Sequence, residues 1–422
     1  MITKNYPELA TNEIRKDALD IVEAGFGAIR VEKLIRSSIS LDRNSLKLST
    51  NTYDLNKFKH IYLFGIGKGS ARAVREIENV VGPDRITAGH VIDIQKTELK
   101  KVKSHVGTHP LPSDKNIQAT KKIIKTLESA GENDLVIVMI CGGGSALMTK
   151  LANLSCLEAQ FISKVLLMQE AKIQEINTVR KHISQIHGGY FAKYAYPASV
   201  QTLIISDVPD NDLSSIASGP TVMDLTTKEE AETVAKKYGL PKFEFTETPK
   251  ENKYFKKVKN NIIASGQTAL EAMENRAKEL GYHPRTKSAN LSGIAKEVGD
   301  ELAKEVRPGE ALMAAGETVV KVNFPGRGGR NQEVALGSVA ALKEGTAIVS
   351  VNSDGKDNMP VAGAIVDYYQ TRKKLAKINK SPREYLHRNN SYELLEELDD
   401  LIHIEKVTAN VADFMVAVRR AE

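Results

Sequence analysis

The sequence predicts an α/β protein of two domains, the first built on a parallel sheet. Three observations carry this expectation. At 422 residues, the chain is longer than one core ordinarily organises, so two domains are the default. Short apolar runs alternate with longer amphipathic stretches, the pattern of strand–helix–strand units. The runs HIYLFGIG (60–67), DLVIVMICGGG (134–144) and QTLIISDV (201–208) are apolar at consecutive positions. Both of their faces must therefore be buried, as in parallel strands covered by helices.

Each element follows in order. Between the apolar runs lie SARAVREIENVV (70–81), NIQATKKIIKTLESA (116–130) and LEAQFISKVLLMQEA (157–171), all with helical spacing. Residues 224–258 are charged, carry Pro241 and Pro249, and hold one short helical pattern. A linker is expected near 245–258, which divides the chain into 1–250 and 251–422. A second α/β unit then begins. NNIIAS (260–265) reads as a strand, and QTALEAMENRAKELG (267–281) and LSGIAKEVGDELAKEV (291–306) as helices. ALMAAGETVVKV (311–322) reads as a strand pair and GRNQEVALGSVAALKEG (329–345) as a helix. TAIVSVNSDG (346–355) reads as a buried strand, with AGAIVD (362–367) starting the next segment.

Composition narrows the function classes. Apolar residues are 41% and charged residues 27% of the chain, ordinary for a globular protein. No run approaches the roughly 20 apolar residues of a membrane helix. The opening MITKNYPELATNEIRKD has no apolar core, so no secretory signal is expected. Two cysteines, Cys141 and Cys156, fit a reducing cytoplasm and argue against a disulfide framework. The net charge of +6 is spread among acids with few aromatics interleaved. An anionic small molecule is expected as partner, and nucleic acid and membrane are not.

Five loops carry the candidate chemistry. Gly65, Gly67, Gly69 and Ser70 lie in GIGKGS, after a strand and before a helix, where backbone N–H groups and Lys68 could receive an anion. The dinucleotide fingerprint fails because Ser70 stands at its last glycine, and Walker A fails because Gly69 follows Lys68. Gly142, Gly143, Gly144 and Ser145 form a second phosphate-cradle candidate. Its serine is not a nucleophile elbow, since Leu147 replaces the required glycine. In SDVPDNDLSSIASGPT (206–221), Asp207 sits where a parallel strand ends, able to hold Mg²⁺ or accept a hydroxyl proton. Asp210 and Asp212 read better as turn and cap residues. Arg327 and Arg330 lie among glycines in FPGRGGRNQEVAL (324–336), and arginine grips carboxylate or phosphate bidentately. Asp354 and Asp357 follow a strand at a spacing that suits a metal, a nucleotide or a plain turn. Arg180 and Lys181 in VRKHISQIHGG could reach an anion, while His105, His109, His182 and His187 read as structural.

Together these strings resemble the class II glycerate 2-kinase family, whose chains join a glycerate-kinase N-terminal domain to a C-terminal MOFRL domain. The matching strings are GIGKGS, THPLPS, CGGGSAL, INTVRKHIS with QIHGG, SDVP with DLSSIASGPT, GETVVKV, GRGGRNQE and SDGKDN with AGAIVD, in the family's order over about 60–367. TANVAD (408–413) is a looser match. The resemblance implies a Rossmann-like first domain, a smaller α/β second domain and an active site in the cleft between them. It implies transfer of phosphate from ATP to the 2-hydroxyl of D-glycerate with Mg²⁺ or another divalent cation. A nicotinamide-dependent hydroxypyruvate reductase is the rival activity, and a homodimer is an open option. By position, Lys68 and Arg330 take the family's charge-neutralising roles, and Asp207 is expected as base or metal contact, with Asp354 a second carboxylate for nucleotide or metal. This chain departs from the family at Asp210-Asn211, where glycine-aspartate is usual, at Ser353 (usually threonine) and at Asn358 (usually glycine).

Overall fold

The computed structural model describes residues 1–405 and 408–421. The chain divides by its contacts into a continuous unit, Glu32–Ile263, and a discontinuous one that joins Met1–Val31 to the residues from Ala264 onward. This differs from the expected split at 250/251 in two respects. The division falls at the end of a strand, and the first 31 residues belong with the C-terminal part. The reason for the second difference is packing. The Glu13–Ala28 helix buries Ala18, Leu19, Ile21, Val22 and Phe26. The Phe26 ring lies 5.8 Å from that of Phe414, and Gly25 leaves room for Met273.

In the Glu32–Ile263 unit, strands β1 (Ile39–Asp42), β2 (Ser45–Leu48) and β3 (Asn51–Asp54) form a small antiparallel sheet. The main sheet holds β4 (His60–Ile66), β5 (Ala88–Asp93), β6 (Lys103–Val106), β7 (Asp134–Ile140), β8 (Ser199–Ile205) and β9 (Val258–Ala264), in the order β6-β5-β4-β7-β8-β9. Pairings from β6 through β8 are all parallel. The three long apolar runs are β4, β7 and β8, and β7 is buried at every residue. Chain order reverses between β4 and β7, which is where open parallel sheets bind ligands. Phe64 and Phe191 meet edge to face at 5.8 Å in the core. The expected linker near 245–258 is instead part of this unit. Phe245 packs with Ile162, Leu166, Val179 and Ala231 in a satellite core, and Thr248 is 3% exposed.

The other unit carries β10 (His283–Leu291), β11 (Glu310–Gly316), β12 (Thr346–Asn352), β13 (Gly363–Asp367), β14 (Leu401–Ile402) and β15 (Asp413–Arg419). Their order is β10-β11-β15-β12-β13-β14. Only β10 and β11 run parallel; the other pairings are antiparallel, so this sheet is mixed. The expected strand pair at 311–322 is one strand. β11 ends at Gly316, where a Cβ would stand 2.1 Å from the Leu291 carbonyl oxygen, and beyond it only Val319 bridges to Ile294. The helix expected over 329–345 runs Arg330–Ser338 and tightens into a 3₁₀ turn, Val339–Ala341.

Candidate active site

In the Glu32–Ile263 unit the loops after β4 and β7 are laced together. The Lys68 N–H donates to the Gly142 carbonyl at 2.9 Å, and the Cys141 N–H donates to that of Ile66 at 2.8 Å. A Cβ on Gly67 would lie 2.2 Å from the Cys141 carbonyl oxygen, and Gly67 has φ +109°. Only glycine permits both the approach and that backbone conformation. Gly143 sits between two side chains. The point where its Cβ would stand is 3.5 Å from Lys68 Cε and 2.9 Å from the His109 ring. The half-buried Lys68 therefore lies along the second glycine loop.

Two members of the first loop do not reach a ligand surface. Gly65 is inside β4, where a Cβ would press on Val74 and Val91 at 2.8 and 2.9 Å. Ser70 is fully buried, its hydroxyl directed to the Ile92 carbonyl. Packing explains both, and the cofactor-binding expectation for Gly65 and Ser70 is corrected accordingly. The N-terminus of the Ser70–Val81 helix is also engaged from within the protein. Asp93, at the end of β5, accepts from the Ala71 N–H at 3.1 Å and from the Ile94 N–H at 2.6 Å. Burial pushes the Asp93 carboxyl up, against the pull of backbone N–H groups including that of Gly69. A carboxylate thus takes the place at this helix end that a dinucleotide fold gives to pyrophosphate. Sequence reasoning missed Asp93 because AGHVID, with glycine and histidine, did not read as a strand. An acid closing a parallel strand was the available signal.

The second loop is better placed. Ser145 is half-buried, and its hydroxyl lies 2.9 Å from that of Ser218. Ser218 donates to Asn177 Oδ1 at 3.2 Å, and Arg180 reaches Asn177 Oδ1 at 3.1 Å and Ser218 Oγ at 3.4 Å. Ala217 and Ser218 have φ of +48° and +57°, a costly conformation for non-glycine residues. The Gly188 N–H holds the turn by donating to the Ser218 carbonyl at 2.9 Å. Gly144 packs against Ala217, where a Cβ would come within 2.7 Å of the alanine Cβ. Asp207 is half-buried just past β8. It and Asp93 are near enough to Cys141 to add to the effect of burial in raising the thiol pKa well above its usual range, so Cys141 stays a neutral thiol. Asp212 accepts from the Ser214 N–H and both serine hydroxyls, as a turn cap should. Lys181 is bound to Asp224 at 3.1 Å in the interior, so of the two basic residues in this motif Arg180 alone faces the serines.

The other unit holds Arg330 and Asp354. Arg330 opens its helix and grips Asp413 with Nε and Nη2, while Nη2 also meets Glu317 at 3.0 Å. Asn352 donates to the same Asp413 at 2.9 Å. Burial pushes Asp413 up to about 6 despite the bonded guanidinium. The glycines around Arg330 have a packing reason. A Cβ on Gly328 would meet Ser391 at 2.2 Å, and one on Gly329 the Asp357 carbonyl at 2.2 Å. Asp357 is buried and caps the helix, accepting from the N–H groups of Asn331 and Gln332 at 3.2 and 3.0 Å. Asp354 is half-buried and accepts from the Lys356 N–H at 3.0 Å. Arg327 is exposed and stacks on Tyr392 at 4.5 Å. Asp207 and Asp354, both expected as metal contacts, fall in separate units. Among the described residues no group of three or more His, Cys, Asp or Glu side chains is placed to hold a metal ion. Mg²⁺ carried by a nucleotide needs only one or two carboxylates besides phosphate and water.

Residues 17–247 match the family model described as a domain of unknown function, DUF4147, and residues 310–413 match the MOFRL family. A D-glycerate 2-kinase of Thermotoga maritima is 32% identical, over 96% of this chain and 98% of its own. A relative in Agrobacterium vitis with a provisional hydroxypyruvate reductase name is 31% identical, over 83% of this chain and 85% of its own. The crystal structure of a glycerate kinase from Thermotoga maritima superimposes with a TM-score of 0.84 at 31% identity, covering 96% of this chain and 99% of that one. With both domains matched in order and nearly the whole length aligned, the chain belongs to the class II glycerate 2-kinase family.

Proposed function

We propose that the protein is a glycerate 2-kinase, moving the γ-phosphoryl group of ATP to the 2-hydroxyl of D-glycerate to give 2-phosphoglycerate and ADP. The observation that carries this at residue level is Lys68 lying along Gly143 at the switch point of the parallel sheet. Phosphoryl transfer asks mainly for positioning and for neutralisation of charge on the transferring group. Gly67 and Gly142 to Ser145 bring backbone close to phosphate, and Lys68 supplies a full positive charge beside them, while the Gly69 N–H is taken by Asp93. Asp207, at the end of β8, accepts the proton of the attacking hydroxyl or holds the cation that travels with the nucleotide. Arg330 adds positive charge with its orientation fixed by Asp413, and Asp354 is a second carboxylate for nucleotide or metal. Mg²⁺, when bound, would be held by Asp207 or Asp354 and would offset the negative charge of the phosphates.

The reductase reading has less support. It needs a helix N-terminus open to a dinucleotide pyrophosphate, and here Asp93 occupies that position. The test is a coupled assay of ADP release with and without D-glycerate, run on the wild type and Lys68→Ala. The expected result is glycerate-dependent ADP release in the wild type, with kcat falling roughly 100-fold or more in the variant at unchanged circular dichroism. Near-normal turnover of Lys68→Ala, or hydroxypyruvate-dependent NADH loss without ADP release, would reject the proposal.

A further inference from the structure

The Glu32–Ile263 unit contains a partly enclosed cavity of about 260 Å³ whose lining, Ser145 apart, the reaction scheme above does not use. One wall is apolar, made by Ile162 and Leu166 of the Cys156–Met168 helix, Val179 of the Ile173–His182 helix, and Ile183. Pro110, Leu111 and Pro112 also line the cavity. The polar lining includes Ser145 of the second glycine loop, Arg180 and His187. Ser145 links this cavity to the loop along which Lys68 lies, since it is two residues from Gly143.

One of the polar groups lacks the partners that burial normally requires. His187 is 2% exposed, and among the described residues neither ring nitrogen has a hydrogen-bond partner of ordinary geometry, with the Met148 backbone nearby. Arg180 bonds to Asn177 and Ser218 but has no carboxylate partner among the described residues. We propose that this cavity receives the purine nucleoside of the phosphoryl donor, with its base on the apolar wall and its phosphates leading past Arg180 and Ser145 toward Lys68.

The argument rests on the kinase reading and deepens it. An amphiphilic ligand explains both halves of the lining, whereas a three-carbon hydroxy acid explains only Arg180 and would leave the apolar wall unmatched. At about 260 Å³ the cavity is slightly smaller than the roughly 300 to 1,000 Å³ common for ligand pockets, which suits a nucleoside whose phosphates lie outside it. His187 suits a base edge more than a phosphate. Burial and the nearby Arg180 push it down to about 3, and a neutral imidazole offers one donor and one acceptor.

The test narrows the apolar end without touching the glycine loops. Ala159 lines the cavity, and Ala159→Leu fills part of it. Ser163→Leu is the second variant, because the Ser163 hydroxyl bonds only within its own helix, to the Ala159 carbonyl. Titration calorimetry on the full chain would use ADP and inorganic pyrophosphate as probes, with steady-state kinetics alongside. The expected result is at least about tenfold weaker ADP binding and a matching rise in KM for ATP. Pyrophosphate binding and KM for D-glycerate should stay within about twofold. Unchanged ADP affinity in whichever variant folds, or a rise in KM for D-glycerate alone, would overturn the assignment. A wild type that binds ADP but shows no glycerate-dependent turnover would instead reject the kinase reading and leave the nucleotide pocket standing.

Discussion

Asp413 carries two opposing influences on one carboxyl group. Burial raises it to about 6 while the bonded Arg330 lowers it, and Glu317 and Asp357 push it up again. The ordinary value is near 4, so the folded state binds more protons than the unfolded state between about 4 and 6. Asp413 therefore costs stability as pH rises through that window, and its contribution is most favourable below it. Arg330→Ala removes the lowering influence and keeps the burial. The Asp413 pKa is then expected to rise above 6, read from the carboxyl ¹³C shift across a pH titration; an unchanged or lower value would show that the ion pair is not what holds it. Asp210 and Asn358 hold φ values of +55° and +58°. Asp and Asn are the non-glycine side chains that best tolerate this conformation.

The joined loops after β4 and β7 act as one element, and Gly67 and Gly69 separate two reasons for glycine there. Both have positive φ, but only Gly67 lies under a neighbouring backbone, while nothing stands within 4 Å of a Cβ on Gly69. Gly67→Ala is expected to cost about 3 kcal/mol and Gly69→Ala about 1 kcal/mol, measured by urea unfolding. Equal losses would mean that the contact with Cys141 yields without cost. This element was largely legible in the sequence, because strand, glycines and helix follow one another within a few residues. So was Asp207, at the end of an apolar run. What was not legible depends on partners far along the chain. Asp93 meets a helix that begins 23 residues earlier in the chain, and Gly328 and Gly329 face Ser391 and Asp357. The sequence shows that such glycines are unusual but not what they make room for. Likewise, β15 closes the centre of the second sheet from the chain's last residues, where no local pattern distinguishes a central strand from an edge.

At the scale of the molecule, the discontinuous unit is fastened by a buried charge group. Arg15 pairs with Asp367 and Asp400, both at 3.0 Å and all three nearly fully buried. Its Nε also donates to the Leu9 carbonyl at 2.7 Å. Removing one partner of such a group strands the others in the interior, at a cost of roughly 3 to 5 kcal/mol. Arg15→Ala is thus expected to raise amide hydrogen exchange in β12, β13 and β15, with β4, β7 and β8 unchanged. Equal protection throughout would show that Met1–Val31 is not needed by those strands. The same connectivity sets an order on biosynthesis. The Glu13–Ala28 helix leaves the ribosome early, but β15, which supplies Phe414 to pack against Phe26, is translated near the end. At ~5 to 20 residues per second, the intervening Glu32–Ile263 unit takes on the order of 10 to 50 s to emerge. For at least that time the first helix exposes an apolar face without its native cover, a surface open to a chaperone.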